Sequence, residues 1–252
     1  MKILKTEEHP TIKDIDTEEC RLLSGPRARG TEFWSIIRVA AEFIRGFRAL
    51  HFVGPCVTVF GSARFGENNP YYELASQVGR ELACAGFTVM TGGGPGIMEA
   101  ANRGAREAGG RSLGCNIQLP KEQAPNAYLD KWITFDHFYV RKVMLVKYSY
   151  GFIVLPGGLG TLDEVFEVLT LVQTGKISEF PVVLMPAGFW SPIIDCLRDG
   201  LIYHGTITQA DLGCLSILDS AQEAVGLIRD TALRKFGLTY RRRPLRRRFF
   251  LE

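Results

Sequence analysis

From residue 55 onward, short apolar runs alternate with amphipathic stretches. Cys56-Val-Thr-Val-Phe is a five-residue apolar run that enters the loop Gly61-Ser62, as a buried strand would. A helix is predicted from about Tyr71 to Ala85. Gly86-Phe-Thr-Val-Met-Thr then reads as a second strand, leading through Gly92-Gly-Gly-Pro-Gly into a helix that ends near Ala108. Strands are predicted at 112–118 and 132–135, a helix at 138–149 and a strand at 151–155. A helix at 161–174, a strand at 180–185, a helix at 189–201, a strand at 215–218 and a closing helix at 220–236 complete the pattern. Strands that alternate with helices in this way specify an α/β fold: a Rossmann-like, doubly wound parallel sheet covered on both faces.

Ahead of this body, Phe33, Ile36, Ile37, Ala40, Ile44 and Phe47 recur at helical spacing. They predict an amphipathic helix over 31–50 whose apolar stripe packs on the main domain or on a partner subunit. Residues 1–30 are polar without a period and are expected to be mobile or draped over the surface. Three units follow: an N-terminal helical extension (1–53), a Rossmann-like domain (54–240) and a basic tail (241–252).

The net charge of +3 is a property of that tail. Removing residues 241–252 takes away six arginines and Glu252, which leaves 24 basic against 26 acidic residues. The body is therefore near neutral, and nucleic acid is not an expected partner. Phe249-Phe-Leu at the end of the tail points to docking on protein instead. No apolar run approaches the roughly 18 residues of a membrane span, and the first residues lack the apolar core of a signal peptide. The six cysteines are scattered without a Cys-x-x-Cys pair, and the four histidines form no metal-spaced cluster. Buried free thiols in a reducing cytoplasm, with neither metal nor cofactor, are the expectation.

Chemistry concentrates in Gly151-Phe-Ile-Val-Leu-Pro-Gly-Gly-Leu-Gly-Thr-Leu-Asp-Glu164. The apolar run breaks at Pro156, and Gly157, Gly158 and Gly160 let backbone approach a ligand. A helix starting near Thr161 would aim free N–H groups at a phosphate. Glu164, placed in the first helical turn, has two readings. Thr161-Leu-Asp-Glu164 has the spacing of a capping box. Alternatively, a carboxylate beside an anion site would stabilise positive charge on a sugar ring, as glycosidic cleavage requires, with Arg141 holding a phosphate or orienting that carboxylate.

Thr91-Gly-Gly-Gly-Pro-Gly-Ile-Met-Glu, Arg141-Lys142 and Pro156-Gly-Gly-Leu-Gly-Thr-Leu-Asp-Glu164 together resemble the LOG ("lonely guy") family over about residues 54–220. These are cytokinin riboside 5′-monophosphate phosphoribohydrolases, often mislabelled as lysine decarboxylases. The resemblance implies hydrolysis of the N-glycosidic bond of a nucleoside 5′-monophosphate to free base and ribose 5-phosphate, in a homo-oligomer that is a dimer or larger. By motif match, Arg141 and Glu164 are the catalytic pair. Gly157, Gly158, Gly160 and Thr161 hold the phosphate, and Lys142, Glu122, Thr170 and Met98 contact the nucleotide. Leu159 stands where many members have Tyr, and Glu99 where plant-type members have Gly, so the preferred base stays open between a cytokinin and plain adenine. The alternative function on this fold is a carrier that binds a nucleotide or molybdenum cofactor without turnover. No lysine is marked as a pyridoxal phosphate anchor.

Overall fold

The computed structural model describes residues 17–119 and 124–237. Residues 1–16, Glu122 and the arginine tail lie outside them. Two helices come first, α1 (Glu18–Leu23) and α2 (Arg29–Leu50). The body runs β1 (Cys56–Phe60), α3 (Pro70–Cys84), β2 (Thr88–Thr91), α4 (Ile97–Glu107), β3 (Ser112–Ile117), β4 (Lys131–Phe135) and α5 (Phe138–Tyr148). It continues with β5 (Ser149–Val154), α6 (Leu159–Gln173), β6 (Val182–Leu184), α7 (Ala187–Cys196), β7 (Leu215–Ile217) and α8 (Ala221–Phe236).

Seven strands form one sheet in the order β4-β3-β2-β1-β5-β6-β7, and every neighbouring pair is parallel. The alternating pattern of the sequence thus yields the doubly wound sheet it predicts. Strand alternation divides the core in two. Val57 and Val59 of β1 pack with α3, α4 and α8 on one face. Cys56 and Phe60 face the other way, into a core built with α2, α5, α6 and α7. In that second layer Phe152 meets Phe60 and Phe180 edge-on, with ring centroids 4.8 and 4.9 Å apart. Each fully buried ring of this kind stabilises the fold by about 1.5–3 kcal/mol.

The chain winds outward from β1 to β4, then returns to β5 on the other side of β1. The switch point lies between β1 and β5, where doubly wound sheets open a crevice at the carboxyl ends of their strands. Backbone bonds gather three loops there. Leu155 N–H donates to Phe60 O (2.9 Å), Ser62 N–H to Pro156 O (2.9 Å) and Ile97 N–H to Ser62 O (3.0 Å).

The sequence reading departs from the structure at three places. Residues 18–23 form a helix, started by Thr17, whose side chain accepts from Cys20 N–H. The helix read at 189–201 is α7 followed by a π-helical turn at Leu197–Ile202. The third departure is in α2. Its apolar stripe points outward: Phe33, Ile36, Ile37 and Ile44 are 57, 64, 44 and 58 % exposed. The face that packs on the body carries the buried Ser35, Glu42, Gly46 and Leu50. A Cβ on Gly46 would stand only 3.0 Å from the Met144 Sδ and Cε atoms of α5, so a small residue is what lets the two helices meet.

Candidate active site

Two glycine turns and two helices supply the crevice. After β5, the turn Pro156-Gly157-Gly158 starts α6 with Gly158 as N-cap and Leu159 as the first helical residue. Helix geometry leaves the N–H groups of Leu159 and Gly160 without an intrahelical acceptor, and the positive end of the helix dipole lies beside them. A Cβ on Gly158 or Gly160 would meet nothing within 4 Å, so both open onto free space. Gly157 differs: a Cβ there would stand 2.1 Å from Thr161 Oγ1. Thr161, 7 % exposed, packs beneath the turn.

This start excludes the capping-box reading. Thr161 is the third residue of α6, no side chain caps the helix, and Glu164 lies in the second turn instead of the first. Glycine at 158 can itself take the N-cap position, so the helix begins three residues earlier than the Thr-x-x-Glu spacing suggests.

Glu164 is 4 % exposed, and its Oε2 has no hydrogen-bond partner among the described residues. Burial pushes its carboxyl up to about 7, against the pull of Arg141 and Lys142. An unpaired buried carboxylate is costly, and such groups gather at functional sites.

Arg141 is anchored across the crevice by β3, where its Nε donates to Cys115 O at 2.8 Å. Its Nη2 lies against Gly92, 2.5 Å from where a Cβ would be, and Met98 Sδ lies 2.7 Å from the same point. Glycine at 92 therefore makes room for both side chains. Burial lowers the Arg141 guanidinium from its ordinary value, with Glu164 opposing, yet an arginine stays charged. The Cys115 thiol is pushed up to about 12, chiefly by burial, and is inert.

The turn under Arg141 is braced by Thr91, which opens the glycine motif, and by Asn102 and Asn126, which the sequence reading does not single out. Thr91 Oγ1 donates to Asn102 Oδ1 (2.7 Å) and accepts from Gly93 N–H (2.9 Å). Asn126 Nδ2 reaches Gly93 O, Gly94 O and Asn102 Oδ1 at 3.2, 3.0 and 3.0 Å. Only the contact map reveals Asn126, because no motif spacing links it to residue 93.

Of the residues singled out in the sequence, Arg141, Met98, Glu164, Gly157, Gly158, Gly160 and Thr161 meet at this crevice or form its wall. Lys142 braces α5 against α6, its Nζ 3.0 Å from both Asp163 and Glu167. Thr170 lies six residues past Glu164, about 240° further round the helix. Its hydroxyl donates to Phe166 O at 2.8 Å. Within one chain the structure does not bring it to the crevice. Among the described residues no group of three or more His, Cys, Asp or Glu could hold a metal ion.

An all-parallel sheet with glycine turns and an Arg–Glu pair at its switch point defines a Rossmann-like α/β protein with a crevice suited to an anion. The family described as "Possible lysine decarboxylase" matches residues 98–228. The chain belongs to it, and thus to the LOG family. A relative named cytokinin riboside 5′-monophosphate phosphoribohydrolase, from Mycobacterium tuberculosis, is 32 % identical over 158 residues, 61 % of this chain and 82 % of that protein. One of the same name from Rhodococcoides fascians is 28 % identical over 177 residues, 69 % of this chain and 88 % of that protein. Among solved structures, the molybdenum cofactor binding protein from Rippkaea orientalis is similar with a TM-score of 0.53 and 26 % identity, covering 70 % of this chain and 96 % of that one.

Proposed function

We propose that the chain hydrolyses the N-glycosidic bond of nucleoside 5′-monophosphates, cytokinin nucleotides or AMP, and releases the base and ribose 5-phosphate. The observation that carries this reading is the buried Glu164 carboxylate, with one oxygen unpartnered among the described residues, coupled to Arg141. The 5′-phosphate sits on the Gly158–Gly160 turn at the start of α6, where open N–H groups and the helix dipole suit an anion. As the bond to the base lengthens, positive charge spreads over the anomeric carbon and ring oxygen. Ionised Glu164 stabilises that charge, and Arg141 orients the carboxylate. Relatives of the matching name support the assignment.

Incubation with AMP and with N6-isopentenyl-AMP, followed by chromatography for free base, tests the reading. Glu164→Gln keeps the shape and removes the charge, so turnover should fall by about 100-fold or more while AMP still binds. Adenosine, lacking the phosphate, should be a far worse substrate than AMP. Near-wild-type turnover by Glu164→Gln would reject the catalytic role, and equal rates on AMP and adenosine would reject the phosphate site.

The second reading, a carrier for a nucleotide or molybdenum cofactor, is favoured by the likeness to a molybdenum cofactor binding protein. A carrier needs the glycine turns but not the Arg141–Glu164 pair. Tight cofactor binding by a protein that releases no base would select it.

The chain assembles as a dimer or larger. The outward apolar stripe of α2 is accompanied by half-exposed Phe138, Tyr139 and Val143 on α5 and Phe166 on α6. These helices lie on one face of the sheet. So large an exposed apolar surface is characteristic of a contact face, and α5 and α6 are the helices that carry Arg141 and Glu164.

A further inference from the structure

Helix α5 starts without a cap of its own. Its N-cap residue, His137, makes no side-chain capping bond, and the first N–H groups of any helix lack intrahelical acceptors. Two carboxylates from far upstream fill the gap. Glu42 of α2 accepts from Asp136 N–H at 2.6 Å and His137 N–H at 3.3 Å through Oε1, while its Oε2 lies 2.5 Å from His137 Nδ1. Glu19 of α1 accepts from Phe138 N–H at 3.0 Å. Glu42 and His137 are 4 % and 1 % exposed, so this clamp is made in the interior. Both carboxylates also sit at the positive end of the α5 dipole.

The clamp is one helical turn from Arg141. Arg141 N–H donates to His137 O at 3.2 Å, so the residue gripped by Glu42 opens the ladder that carries the arginine. At the other end of that side chain there is no slack. The guanidinium is fixed between Cys115 O and the bare backbone of Gly92.

We propose that Glu42, aided by Glu19, is a positioning residue for the reaction: the helical extension caps α5 from outside and so sets where Arg141 stands. This rests on the hydrolase reading above. Glu42 touches no reacting atom; it acts through His137 and the start of α5. Misplacing a catalytic group by about 1 Å can cost about 100-fold in rate, and a supporting shell is what prevents it. A cavity of about 560 Å³ lies over the clamp, lined by Arg21, Arg38 and Arg45 against Glu18, Glu42 and Asp136.

The test uses the full chain with Glu42→Gln, which keeps an acceptor for the backbone but loses the charge facing His137. Glu19→Gln is the milder second variant, in case the first does not fold. Leu50→Ala, eight residues along α2 and 2 % exposed, is the control for lost stability alone. Two quantities are read: kcat and KM on AMP, and the titration of the Glu164 carboxyl by carbon-13 NMR. Glu42→Gln should lower kcat about 10-fold or more and change KM by less than about 3-fold, because the phosphate turn belongs to α6. The Glu164 titration should move upward, because the charge of Arg141 opposes the rise to about 7 that burial causes. Glu19→Gln should shift both readouts in the same directions by less. Leu50→Ala should lower Tm and move neither.

Unchanged kcat and an unmoved Glu164 titration in Glu42→Gln would overturn the proposal. So would the same pair of changes in Leu50→Ala at an equal loss of Tm. If the wild type releases no base from any nucleotide, the hydrolase reading falls, and the NMR titration still decides whether Glu42 places Arg141.

Discussion

Glu164 is a side chain whose burial costs the fold and whose proposed role depends on the same burial. Its carboxyl is raised to about 7 from an ordinary value of 4.5, chiefly by burial. Between those two pH values the native state holds a proton that the unfolded chain has released. The favourable contribution of protonated Glu164 is therefore complete below about pH 4.5 and lost as pH rises through about 7. Glu164→Gln should raise stability at pH 8 by about 1–3 kcal/mol, and the gain should vanish toward pH 4.5. Denaturant unfolding of both proteins at pH 4.5, 6 and 8 checks this, and a mutant less stable than wild type at pH 8 would contradict it. Activity runs the opposite way. If ionised Glu164 stabilises the sugar cation, kcat should climb as pH rises through about 7 and then level off. Decline above pH 7 would make the protonated acid the working form. The sequence brought Glu164 to notice but misjudged its place in the helix, because Thr-x-x-Glu spacing is shared by a cap and by a buried second-turn carboxylate. His137, Glu42 and Asn126 carried no sequence signal, because the partners that hold them lie 24 to 95 residues away.

At the scale of elements, the start of α6 separates a glycine that the packing requires from two that open onto free space. Gly157 has Thr161 against it, whereas Gly158 and Gly160 face open space. Gly157→Ala should force the turn and Thr161 apart and lower stability by about 1–3 kcal/mol. Gly160→Ala lies within the first helical turn and should be neutral or stabilising by up to about 1 kcal/mol. Its methyl would intrude where the phosphate is proposed to sit, so KM for AMP should rise about 10-fold or more. Thermal melts with initial rates decide the matter, and an unchanged KM in Gly160→Ala would move the phosphate elsewhere. The motif string shows both glycines but not this division of labour, which depends on how Thr161 folds back under the turn. Helix α2 makes the complementary point. Its period of apolar residues foretold a helix correctly, yet the apolar face is not the one packed on the sheet. The face with Glu42, Gly46 and Leu50 is buried instead, and it supplies the acceptors that the start of α5 lacks and the closeness that Met144 requires.

For the whole molecule, the parallel sheet and its helical cover were legible in short apolar runs alternating with amphipathic helices, because the inner strands of such a sheet are covered on both faces. Those runs are local and self-announcing, and the switch point follows from right-handed winding on each side of β1. An inverted amphipathic helix is a different case. Among the described residues nothing covers its exposed stripe, and that is the ground for the proposed contact with another chain. A second copy is the simplest candidate, because α2, α5 and α6 each expose large apolar side chains on the same side of the sheet. Light scattering at micromolar concentration should therefore give the mass of a dimer or larger. The paired substitution Ile36→Glu and Val143→Glu places charges at positions 64 and 41 % exposed, where they cannot disturb the core. It should shift the mass to that of one chain with the far-ultraviolet circular dichroism unchanged. If assembly also steadies the helices that carry Arg141 and Glu164, kcat should fall with the mass. A wild type that is monomeric at full activity would leave the stripe without an occupant among its own copies and remove the oligomer from this reading.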